Sequence, residues 1–146
     1  MNKVTYEDYL EKNGELTYTN IGVSMLPMMK QGRDMFTVVK KTDERCRKYD
    51  VVLYRRPPSH YVLHRVVEVR ENDYVILGDN CLNKEYGIKD EDIIGVLSKF
   101  IRNGKEHTVE EKGYRFYSRL WYFLYPVRKL YMKVKFKIGR MRKNEG

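Results

Sequence analysis

Between Glu15 and Val109 the chain is a succession of short β-type runs, each closed by turn residues, with no long helical segment between them. "ELTYTNIGV" alternates as a half-buried strand does. "MFTVVKK" and "DVVLYRR" are β-rich and bounded by polar clusters. "YVLHRVVEVR" and "YVILGD" are joined by "ENDY", a hairpin turn. "DIIGVLSKFIRNGKEHTV" reads as two further strands around Asn103-Gly104, a strong turn pair. Strands so closely spaced predict a mainly β domain, twisted and partly closed. Ahead of it, "TYEDYLEKNG" predicts a short helix: Thr5 and Asp8 have the spacing of a capping box, and Gly14 stands where the helix would stop.

The pattern changes at Tyr114. Tyr117, Leu120, Trp121, Leu124, Val127, Tyr131, Val134 and Ile138 recur at spacings of three and four, which predicts a helix with one apolar face. Pro126 is expected to kink or break it, and the alternating "KVKFKIGRMRK" beyond reads as β-like or frayed. Residues 114–146 hold ten Lys/Arg and one acid, Glu145, whereas residues 1–113 hold 19 of each sign, so the net charge of +9 is that of the tail. The chain therefore divides into a β body, residues 1–113, and a basic, aromatic, amphipathic helical tail, residues 114–146. The tail suits either docking on the β body or contact with an anionic membrane surface. No nucleic-acid motif is present, and no nucleic-acid partner is expected. The polar start of the chain does not read as a signal peptide, and no apolar run reaches the ~18 residues of a membrane span. Cys46 and Cys81 are too few for a disulfide scaffold and wrongly spaced for zinc, so both are expected as free thiols, and no cofactor or metal is expected.

Three features carry chemistry. Ser24 sits in "NIGVSMLPMMKQGRD"; a serine hydroxyl is a nucleophile only if a base removes its proton, and otherwise it is a turn residue. His64, inside "YVLHRVVEV", points to one defined face of a strand, and its reference pKa near 6.5 suits a general base. Asp79 follows the strand "YVILG"; it is either a turn aspartate bonding its own backbone or the acid of a serine–histidine–acid site. Glu85 is a second acid nearby. His60 and His107 read as ordinary surface residues.

Taken in order, Ser24-Met25-x-Pro27, "YDVVLY", "LHRVVEV", "GDN" and "IIGVL" resemble the signal peptidase I superfamily across residues 20–98. The match is to the histidine-type branch of endoplasmic reticulum and archaeal enzymes, since His64 stands where the other branch has lysine. The resemblance implies a mainly β catalytic domain and a serine endopeptidase cleaving a peptide or leader sequence. Ser24 would be the nucleophile, His64 the base and Asp79 the group that orients it. Met25 and Pro27 would help frame the substrate pocket, with Glu85 as an accessory acid. Substrate would bind as an extended strand.

Three positions and one missing element differ from that pattern. Gly22 replaces a serine that often serves the oxyanion, Glu85 replaces a second aspartate, Arg33 interrupts a Gly-Asp pair, and no membrane-spanning helix accompanies the match. The expected localisation is membrane-associated without a spanning segment, on the cytoplasmic side, or else soluble in the cytoplasm. The alternative function is a non-catalytic peptide-binding module on the same fold.

Overall fold

The computed structural model describes residues 5–56 and 60–144. Residues 1–4, 57–59, 145 and 146 lie outside them, and with them Glu145, the tail's one acid. The order is α1 (Tyr6–Asn13), β1 (Glu15–Thr19), β2 (Met35–Lys40), β3 (Val51–Arg56), β4 (His60–Val69), β5 (Tyr74–Leu77), β6 (Glu85–Ile88), β7 (Ile93–Arg102), β8 (Lys105–Thr108), α2 (Lys112–Phe123) and α3 (Tyr125–Asn144). The eight strands form one antiparallel sheet in the order β1-β2-β7-β3-β4-β5-β6, with β8 paired to β7. The β-rich expectation holds; the sheet itself is not closed.

Local signals act where the sequence puts them. The Thr5 hydroxyl accepts from the Asp8 N–H and the Asp8 carboxylate accepts from the Thr5 N–H, while Gly14 caps α1. Asn103 and Gly104 both take positive φ, 53° and 81°, as the tight turn between β7 and β8 requires. The element the sequence did not announce is β6, whose four residues pair with β5 immediately beyond the Asp79 turn.

Both faces of the central strands are covered, which is why β3 reads as an unbroken apolar run. Val51 and Leu53 pack with Leu10, Met25, Met29, Phe36 and Leu97. Val52 and Tyr54 point the other way, into a cluster with Val66, Tyr74, Ile76 and Ile93.

The tail is helical to Asn144, so the β-like reading of its end gives way to a continuous α3. A break at Leu124, just before Pro126, separates α3 from α2 as expected. Only part of the apolar face expected for the tail is buried. Ser118 and Tyr125 are buried and Tyr117 and Trp121 partly so, whereas Leu120 and Val127 are exposed. Polar bonds set that rotation: the Tyr117 hydroxyl donates to Asp79 Oδ2 (2.7 Å), Trp121 Nε1 to the Asp79 carbonyl (2.7 Å), and the Tyr125 hydroxyl to the Leu82 carbonyl (2.5 Å). Residues 114–128 thus pack on the β body, and both cysteines are free. No helix among the described residues is long and apolar enough to cross a membrane.

Candidate active site

The loop bearing Ser24 is closed at both ends. The Asn20 N–H donates to the Asp34 carbonyl (2.9 Å). The Asp34 carboxylate is buried and accepts from the backbone N–H groups of Lys30 (2.7 Å) and Asn103 (2.9 Å) and from the Arg33 guanidinium (2.8 Å). Burial works against its charge, but Arg33 and the two amides outweigh it and hold its pKa down at about 2. Arg33 therefore serves the closure. Met25, Met28 and Met29 drop from the loop into the core and fix its height over the sheet.

A second loop grips the first. The Asn80 backbone N–H donates to the Ser24 carbonyl (2.8 Å) and its side-chain amide to the Val23 carbonyl (3.1 Å). Ser24 and His64 line one cleft of about 710 Å³, with Asn20, Arg56 and residues 81–85 among its other walls.

Strand register explains why the imidazole fits. Arg65 pairs with Leu77 and Val66 with Ile76, so His64 stands opposite Gly78, one step past the end of β5. A Cβ on Gly78 would sit 2.9 Å from His64 Nε2, 2.9 Å from the Ser24 carbonyl oxygen and 2.6 Å from Cys81 Sγ. Glycine leaves the gap that the ring edge and the Ser24 turn share.

The ring's other nitrogen faces Tyr54. Val52 pairs with His64 and Tyr54 with Val62, so Tyr54 and His64 are diagonal neighbours on one face of the sheet. The buried Tyr54 hydroxyl lies 3.3 Å from Nδ1 and donates to Glu85 Oε2 at 2.5 Å. With its proton committed to Glu85, the Tyr54 oxygen accepts at Nδ1. The neutral ring then carries its proton on Nδ1 and leaves Nε2 with a lone pair toward the Ser24 turn. Arg56 completes the group: Nη2 and Nε donate to the two Glu85 oxygens (2.7 and 3.2 Å), and Nη2 also reaches the Tyr54 hydroxyl (3.2 Å). Burial first, then the Arg56 guanidinium, push the His64 pKa down to about 4, against upward pulls from Glu85 and Asp79. At neutral pH the ring is a free base.

Asp79 does something other than the expected orienting of His64. It has the parity of Leu77, the partner of Arg65, and successive strand residues face opposite sides. Its carboxylate accordingly takes two bonds from Arg65, from Nε and Nη2, both 2.8 Å. Arg65 in turn donates from Nη1 to the Tyr49 carbonyl (3.0 Å), the Tyr114 hydroxyl (3.1 Å) and Ser118 Oγ (2.8 Å). The Arg65–Asp79 pair is buried and clamps α2 to the sheet. The acid that reaches the histidine is Glu85, through Tyr54.

The other expected site residues are placed as follows. Met25 is buried in the core and Pro27 is exposed, and neither lines the cleft. The turn directs Met25 downward, so the cleft wall near Ser24 is made by Ile21 and Leu82 instead. Gly22 takes φ 82°, and its N–H is already given to Gln31 Oε1 (2.9 Å). The Ser24 N–H has no acceptor among the described residues. His60 is exposed, and His107 pairs with Glu111 (2.9 Å), both away from the cleft. Tyr54 and Arg56 went unmarked in the sequence, although the parity of "VVLYRR" against "VLHRVV" is their one signal. Among the described residues, no group of three His, Cys, Asp or Glu side chains is arranged to hold a metal ion. Compared with family models, curated proteins and solved structures, the chain has no match.

Proposed function

We propose that this chain is a serine endopeptidase of the signal peptidase type that cleaves an extended peptide or leader sequence. The observation that carries the reading is a buried, neutral histidine whose Nδ1 is held by the Tyr54–Glu85 pair while Nε2 faces the Ser24 turn in a shared cleft. In the proposed reaction Ser24 Oγ attacks the scissile carbonyl as its proton passes to His64 Nε2. The imidazolium then gives that proton to the departing amine, leaving an acyl-enzyme. Water, deprotonated by the same nitrogen, releases the acid and restores Ser24. Glu85 offsets the transient positive ring through Tyr54, and the Ser24 N–H receives the oxyanion.

The substrate would lie along β4. Pairing with β5 begins at Arg65, whereas residues 60–64 pair with β3 on their other side, which leaves a free edge beside the cleft for an added strand. A second reading, a peptide-binding module without activity, is favoured by Gly22, which contributes no hydroxyl and whose N–H is already taken.

Cleavage of an unstructured peptide library across pH separates the two. A base must be neutral to act, and the His64 pKa lies near 4, below its ordinary 6.5. The acid limb of kcat/KM should therefore fall near pH 4, with no loss at pH 6. Arg56→Gln should move that limb upward, toward 6.5, because Arg56 depresses the ring's pKa. Binding of library peptides with no cleavage at any pH supports the module, and an unmoved limb in Arg56→Gln removes His64 from the base role.

A further inference from the structure

A second concavity, about 860 Å³, lies at the corner where α2 turns into α3. Its apolar floor is formed by Phe116, Leu120 and Phe123, of which Phe116 is 67% and Phe123 77% exposed. These are large side chains to leave in water, and they sit on one helical face at spacings of four and three. The rim is made by Lys48, Lys84, Arg119 and Lys129, and among the described residues no carboxylate lines the corner. Aromatic rings position three of these cations: the Lys48 and Lys84 ammoniums lie 5.5 and 5.4 Å from the Tyr122 ring centre, and Lys129 lies 5.8 Å from that of Tyr125. None of the four takes part in an ion pair among the described residues.

The same character continues along α3. Its last firm hold on the body is Arg128, which donates to the Asp79 carbonyl (2.9 Å). Val127, Leu130, Tyr131, Val134, Ile138 and Met141 form an exposed apolar stripe at helical spacing. Lysines and arginines fill the flanks, with no acid between Lys112 and Asn144.

We propose that the α2–α3 corner and the stripe of α3 seat the protein on an anionic lipid bilayer, with the phenylalanines at the acyl boundary and the rim cations on headgroup phosphates. An apolar floor ringed by unpaired cations matches an anionic amphiphile, which offers both surfaces at once. Phosphates of a nucleic acid would leave the aliphatic stripe in water. Lys84 belongs to the wall of this corner and also to that of the Ser24–His64 cleft. If the cleft is the active site proposed above, its substrate is met at the membrane surface; the lipid contact itself stands apart from that reading.

Flotation of the full chain with vesicles tests it, and needs no activity. Vesicles of phosphatidylcholine containing phosphatidylglycerol should carry the protein at low salt, pure phosphatidylcholine should not, and 0.5 M salt should release it. The double variant Phe116→Ser/Phe123→Ser, altering only exposed side chains, should partition at least about tenfold more weakly. Lys129→Gln should weaken it about fivefold. Equal binding to the uncharged vesicles overturns the proposal, as does unchanged binding by both variants. Binding to RNA or an acidic protein without flotation likewise overturns it.

Discussion

Ser24→Ala and His64→Ala are each expected to lower kcat/KM for peptide cleavage by about 10³–10⁶. Ser24→Ala removes only the attacking oxygen. Its hydroxyl makes no hydrogen bond among the described residues, so the melting temperature should hold, because the loop is fixed by Asn80, Asp34 and three buried methionines. His64→Ala also empties a buried site, so some stability should go with the activity. The double variant should be hardly slower than either single one, because a nucleophile without its base and a base without its nucleophile fail at the same step. Steady-state kinetics on any peptide cleaved by the parent protein checks this. A multiplicative double loss would mean that the two side chains act separately.

The second large effect is expected on stability and comes from Asp79. Asp79→Asn leaves the Arg65 guanidinium buried with half of its carboxylate contact gone, and should cost about 3–5 kcal/mol. Urea unfolding should show a lower midpoint at unchanged slope. Arg65→Met/Asp79→Leu, which removes both charges together, should recover only part of the loss, because the Tyr49 carbonyl and the Tyr114, Tyr117 and Ser118 hydroxyls lose their bonds to the pair. The folded fraction of Asp79→Asn should keep most of its activity. That outcome separates a clamp from an orienting acid: the two bonds at 2.8 Å run from Asp79 to Arg65, not to His64.

Much of this arrangement was legible in the residues. The strands, the α1 caps and the Asn103-Gly104 turn follow from local chemistry that tertiary packing had no reason to override. Ser24 and His64, both marked in the sequence, line one cleft, with His64 Nε2 and the Ser24 carbonyl on either side of Gly78. Which of the two carboxylates after β5 lies near the histidine is not legible, because only the sheet says which face each takes. Asp79, adjacent to the strand end, shares parity with Arg65. Glu85, the second acid nearby, is brought opposite Ile76 on the histidine's face by β6, which the sequence does not announce. The apolar face of the tail is legible, but which of its residues dock on the β body is not: the hydroxyls of Tyr117 and Ser118 and the indole N–H of Trp121 have partners in the Arg65–Asp79 group, and those bonds set the helix rotation that leaves Leu120 and Val127 exposed.

Covalent labelling of Ser24 is the most direct test of the proposed site. The full chain is incubated with a fluorophosphonate at pH 7 and followed by intact-mass and peptide mass spectrometry. One adduct on Ser24 is expected, absent in His64→Ala, formed about 10-fold to 100-fold more slowly in Glu85→Gln, and formed at near the parent rate by folded Asp79→Asn. No adduct on the parent protein, or one that forms equally well without His64, would contradict the account.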